Sequence, residues 1–109
     1  MTNNSILSSN EYVIMNLMWS SARPMTRAEI LKGTEDRNWN PASIHLILNS
    51  MISKGVIKIT DEEKKYGRTY ETVMSYDDYL LAVLKANIPN KDERELLKDC
   101  TRILRKLNK

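Results

Sequence analysis

Of the side chains that carry out nucleophilic or proton-transfer chemistry most readily, the 109 residues hold one histidine, His45, and one cysteine, Cys100. A nucleophile needs a base beside it and a metal centre needs several ligands at short spacing; a lone histidine with no second His or Cys near it supplies neither. The acidic pairs Glu62-Glu63 and Asp77-Asp78 fall in a polar run and at a helix start, where solvent is expected, and three scattered glycines make no phosphate-cradling loop. The residue set therefore points away from an enzyme, a metal site and a bound cofactor, and towards binding through hydroxyls, amides and cations. A single cysteine excludes a disulfide framework within one chain and fits a reducing compartment. With no apolar run near the ~20 residues of a membrane span, and with Met1-Thr-Asn-Asn-Ser at the start rather than a basic, apolar leader, a cytoplasmic protein without a membrane partner is expected.

The elements that must position these groups announce themselves through their caps. Ser8 with Glu11, Thr26 with Glu29, Ser75 with Asp78 and Asn90 with Glu93 each place a capping oxygen three residues before an acid that can return the hydrogen bond. Asn40 followed by Pro41 is a fifth start, since proline is tolerated in the first turn. Helices are thus predicted over about 9 to 20, 27 to 32, 41 to 54, 76 to 88 and 91 to 107. The first is apolar nearly all round and reads as a central core helix; Met25 can staple the second onto Ile30, with Gly33 closing its far end; the third turns Ile44, Ile47, Leu48 and Met51 inward. Residues 56–60 and 68–74 are β-branched and aromatic-rich and flank the polar run Asp61 to Gly67, the pattern of a hairpin with a charged tip.

Three helices followed by a hairpin is the order of a winged helix-turn-helix, in which the third helix enters the major groove and the hairpin touches flanking backbone. The expected fold is mainly α with a small β-hairpin: a winged helix-turn-helix domain over residues 1–74, followed by two C-terminal dimerisation helices over 75–109. The residues Leu7-Ser8 and Glu11, Ile14 to Trp19, Trp39-Asn40-Pro41, Ser43-Ile44, Lys54-Gly55, Gly67-Arg68-Thr69-Tyr70 and Asp77-Asp78-Tyr79-Leu80 occur in one order and spacing. Together they resemble the penicillinase-repressor family (the BlaI, MecI and CopY type) over about residues 7 to 84. The resemblance implies a homodimeric repressor that binds palindromic operators in double-stranded DNA and pairs its subunits through C-terminal helices. The apolar stripes Tyr79, Leu80, Val83 and Leu84, then Leu96, Leu97, Cys100, Ile103, Leu104 and Leu107, fit that role independently.

A reading helix of this family normally displays cations, and position 45 is one often held by Arg; here residues 41–53 contain no Lys, Arg, Asp or Glu. Helical geometry puts Ala42, His45, Leu46, Asn49 and Ser53 outward. Ala42 and Leu46 could meet thymine methyls and Asn49 an adenine edge, which implies an A/T-rich site. Phosphate contacts are expected from helix-end amides beside Thr26, Arg27, Asn40 and Ser43, and from the wing residues Lys64, Lys65 and Arg68. Each has a plainer role to set beside that one. Thr26 and Asn40 are explained as caps, Lys64 and Lys65 as a solvated tip, Arg68 as a cross-strand partner, and His45 as an ordinary surface residue. Leu46 alone resists a bland role, being either a base contact or part of a protein-binding surface.

The family's switches find little footing. Copper-responsive members need a C-terminal cysteine cluster, whereas Cys100 stands alone on an apolar helix face and is expected to pack there; no cleavage segment like that of the β-lactam-responsive members is recognisable. Net charge is +3, but residues 1–74 hold 9 basic and 8 acidic groups while 91–109 hold 7 and 4, so the surplus lies in the tail. The expected function is a dimeric DNA-binding transcriptional repressor. The rival is a winged-helix protein-interaction module that has lost sequence-specific DNA binding and meets a protein partner around Leu46.

Overall fold

The computed structural model describes residues 6–60 and 67–108. Among these the element order is α1 (Ser9–Ser21), β1 (Met25–Thr26), α2 (Arg27–Gly33), a 3-10 turn (Glu35–Arg37), α3 (Pro41–Ser53), β2 (Ile57–Ile59), β3 (Thr69–Thr72), α4 (Tyr76–Asn87) and α5 (Glu93–Leu107). The fold is mainly helical with a small antiparallel sheet, the winged helix-turn-helix order followed by C-terminal helices. The chain divides into two compact units, Leu7–Ser75 and a second built chiefly from Tyr76–Lys109.

In the first unit the predicted caps are in place. The Ser8 hydroxyl accepts from the Glu11 amide and Glu11 returns the bond at 2.8 Å; Thr26 and Glu29 repeat the arrangement, and Asn40 Oδ1 accepts from the Ser43 amide at 2.8 Å. Ile14, Met15 and Met18 of α1, Ile30 of α2 and Ile44, Leu48 and Met51 of α3 form the core with Val56, Ile57 and Tyr70. Trp19 and Trp39 are only half-buried. Trp19 keeps its polar edge near the surface, where Nε1 donates to the Met74 carbonyl at 2.9 Å. The C-terminus of α3 is a Schellman motif: Gly55, at φ 76°, donates to Ile52 and Val56 donates to Met51.

Two features of this unit differ from expectation. The sheet has three strands, ordered β1-β3-β2, because Met25 and Thr26 pair with Tyr70 and Thr69. A two-residue strand has no periodicity of its own and exists only through that pairing. Gly33 is the last residue of α2 rather than a left-handed cap, and Thr34 closes the helix through its hydroxyl to the Ile30 carbonyl. A Cβ at position 33 would lie 2.6 Å from Leu17 Cδ2 of α1, so a larger residue there obliges the Leu17 side chain to shift.

In the second unit α4 and α5 pack on each other, and Leu96 is buried. Lys85 bonds Glu93 at 3.1 Å, and Lys91 and Arg102 hold Asp99 at 2.6 and 2.9 Å, which keeps the Asp99 carboxyl below its usual range, the Lys91 bond contributing most. The fifth helix starts later than Asn90 implied: Asn90 lies in the turn after α4, and Asp92 caps α5 in a reciprocal pair with Glu95. Cys100 is exposed instead of packed. It shares an apolar face with Leu97, Ile103, Leu104 and Leu107, which are 51–75% exposed. No helix among the described residues is long and apolar enough to cross a membrane.

Candidate nucleic-acid interface

The outward face of α3 is set by what the inward face must do. Ile44, Leu48 and Met51, spaced i, i+4 and i+7, are at most 1% exposed, and this fixes the rotation of the helix about its axis. Ala42, His45, Leu46, Asn49 and Ser53 consequently all face solvent, Leu46 with 69% of its surface free. Ser43 is half-buried, its amide committed to the Asn40 cap.

His45 is the hub of that face. Arg27, the first residue of α2, reaches it with Nη1 3.0 Å from Nδ1, and Asn49, one turn further along α3, places its side-chain amide 3.1 Å from Nε2. The spacing of His45 and Asn49 (i, i+4) is legible in a sequence; the participation of Arg27, eighteen positions earlier on another helix, is not.

Beside this array lies an open cleft of about 450 Å³ lined by Thr26, Arg27, Ala28, His45, Gly67, Arg68 and Tyr70. It is bounded on one side by the start of α2 and on the other by the wing strand. Pairing of Thr26 with Thr69 brings Arg68 close to Arg27 and His45. Arg27 and Arg68 make the cleft basic. Of the other expected phosphate ligands, Thr26 and Asn40 serve as caps, while Lys64 and Lys65 lie outside the described residues. Ala28, Gly67 and Tyr70 were not expected at the site; Ala28 comes with Arg27 in the first turn of α2, and pairing of β1 with β3 brings Gly67 and Tyr70 beside it.

Behind the face, the helices are braced by one buried carboxylate. Glu11 accepts from Ser50 Oγ at 2.7 Å and from Lys54 Nζ at 2.6 Å besides its capping bond. Burial pushes the Glu11 carboxyl up, but the Lys54 ammonium, the Ser8 amide and the Ser50 hydroxyl outweigh it and hold the group below its ordinary value. On the opposite flank Glu29 is held low by the Arg23 guanidinium, bonded at 3.0 Å, and by the Thr26 amide.

No group of three or more His, Cys, Asp or Glu among the described residues could hold a metal ion. The outward face of α3, without Lys, Arg, Asp or Glu, and the cleft lined by Arg27 and Arg68 at its edge form one exposed surface. A family model described as penicillinase repressor matches residues 7–98, while no curated protein and no solved structure matches the chain.

Proposed function

Because the chain belongs to the penicillinase repressor family, whose members are DNA-binding transcriptional repressors, we propose that it acts as a homodimer that occludes a promoter by binding a palindromic operator. The observation that carries this reading is the outward face of α3, from Ala42 to Ser53, standing beside the Arg27 and Arg68 cleft. Residues 1–74 serve as the reading head, with α3 in the major groove and the cleft on backbone phosphate. Ala42 and Leu46 meet thymine methyls. Residues 75–109 pair the subunits: Leu97, Cys100, Ile103, Leu104 and Leu107 of α5 leave an apolar strip exposed that a second copy would cover. With so few cations near the groove, affinity depends on a small number of phosphate contacts.

The test is titration against DNA from upstream of the protein's own gene at several salt concentrations. A specific complex that weakens as salt rises supports the repressor, with a slope of about −0.9 per neutralised phosphate. Binding no tighter than to random duplex overturns it. The exposure of Leu46 favours one second reading, an interaction module docking a protein on the same face; a specific DNA complex would remove it.

A further inference from the structure

Imidazole is the side chain whose charge changes nearest neutral pH, and His45 carries the only one in the chain. Arginine can only donate, so the Arg27 Nη1 contact of 3.0 Å needs the lone pair of His45 Nδ1. An imidazolium bears N–H on both nitrogens and has no lone pair left. The two residues keep this bond only while the ring is neutral. Asn49, whose side-chain amide stands 3.1 Å from Nε2, is uncharged and brings no counter-charge. Nor do the elements packed around the ring. The cleft beside it is lined by Arg27 from α2 and by Arg68 and the Tyr70 phenol from the wing, with no carboxylate among the described lining residues. Residues 41–53 hold no Asp or Glu. Glu29 of α2 and Glu71 of β3 are engaged elsewhere, the first with Arg23 and the Thr26 amide, the second with Lys58.

A proton on His45 therefore breaks a hydrogen bond and adds positive charge to a cleft already lined by two arginines. A DNA phosphate supplies what is missing, negative charge for the ring and acceptor oxygens for the guanidinium that has lost its partner. We propose that DNA binding is coupled to proton uptake at His45: the ring is neutral and bonded to Arg27 in the free protein, and takes a proton from solvent as backbone phosphate enters the cleft. Imidazolium and the released Arg27 then both bond phosphate oxygen. This inference rests on the DNA reading proposed above and makes pH a control on the same surface. The bound state holds one proton more than the free state, so affinity rises as pH falls. Because backbone charge drives the uptake, it extends to random duplex.

The test is titration of the full chain with DNA from upstream of its own gene and with random duplex, at fixed salt, over about pH 6 to 8. Log affinity should fall with rising pH at a slope approaching −1, a loss of up to about tenfold per pH unit. His45→Gln, at an exposed position, can accept from Arg27 but cannot ionise, and should flatten the slope; circular dichroism checks its fold. With isotope-labelled histidine, the ring-nitrogen NMR shifts at about pH 7.5 should show a bare Nδ1 in the free protein and protons on both nitrogens in the complex. An affinity constant across the range, a slope kept in His45→Gln, a protonated Nδ1 in the free protein or a neutral ring in the complex overturns the inference and leaves the DNA reading standing. If neither duplex binds at any pH, the DNA reading itself fails and the inference with it.

Discussion

The buried carboxylate of Glu11, in the first turn of α1, lies 2.6 Å from the ammonium of Lys54 at the C-terminal cap of α3, forty-three positions away. This contact ties the start of α1 to the end of α3. Glu11 is 4% exposed and Lys54 40%, so the lysine keeps access to water while the carboxylate does not.

Glu11→Gln should cost about 1–3 kcal/mol, since it replaces a charged acceptor that satisfies three donors. The sign with pH follows from the lowered carboxyl. Glu11 contributes its full stability above the unfolded value of 4.5, and the contribution is lost as pH falls through the lower, folded value. Urea unfolding from pH 7 downward should therefore show the unsubstituted protein losing its advantage over Glu11→Gln below that range. A constant difference between the two at every pH would contradict the assignment.

Gly33→Ala sets a gain against a clash. The substitution improves helix propensity by up to about 1 kcal/mol, but the new methyl meets Leu17 at 2.6 Å. The expected net effect is a loss of about 1 kcal/mol. In a Leu17→Ala background the same change should become neutral or stabilising, and a double-mutant cycle by thermal unfolding reads the coupling directly.

Leu104→Glu places a charge in the exposed apolar strip of α5. If that strip pairs two copies, sedimentation should show the chain shifted to monomer with its helical content kept, and operator affinity lowered about a hundredfold through loss of the linked half-site. An unchanged mass for the variant would locate the pairing surface elsewhere.

Leu46→Lys distinguishes the two proposed uses of the exposed α3 face. In a DNA reader it adds a cation and removes an apolar base contact, so binding to random duplex rises while discrimination falls. An interaction module would instead lose its protein partner. Paired titrations with specific and random DNA give the ratio.

Arg68→Ala should lower the slope of log affinity against log salt by about 1, with similar weakening on every sequence, if Arg68 meets a phosphate. A change confined to one sequence would make it a base contact.

Local chemistry made much of this fold legible from the chain. Ser8 with Glu11, Thr26 with Glu29 and Asn40 with Pro41 fixed three helix starts, because a cap is satisfied within four residues. The inward spacing of Ile44, Leu48 and Met51 was enough to find the outward face of α3. What escaped depends on residues distant in sequence. β1 exists through pairing with Tyr70 and Thr69, Gly33 lies close against Leu17 on another helix, and the Arg27 contact with His45 needs α2 and α3 to be docked. Asn90 misled because two capping pairs lie two residues apart, and the turn after Pro89 takes the first, leaving Asp92 to cap the helix.

The division of α3 into two sets of positions bears on how such a protein can change over generations. The residues that hold the fold, Ile44, Leu48 and Met51, and the solvent-facing Ala42, Leu46 and Ser53 share no position. Mutations at the latter three can therefore accumulate with little penalty to folding, and target preference can drift ahead of stability. Positions 45 and 49 are the exceptions. His45 contacts Arg27 on α2 as well as Asn49, so a new residue at either position is tolerated only if it suits its neighbours too. Diversification along this face is free at three sites and correlated at two.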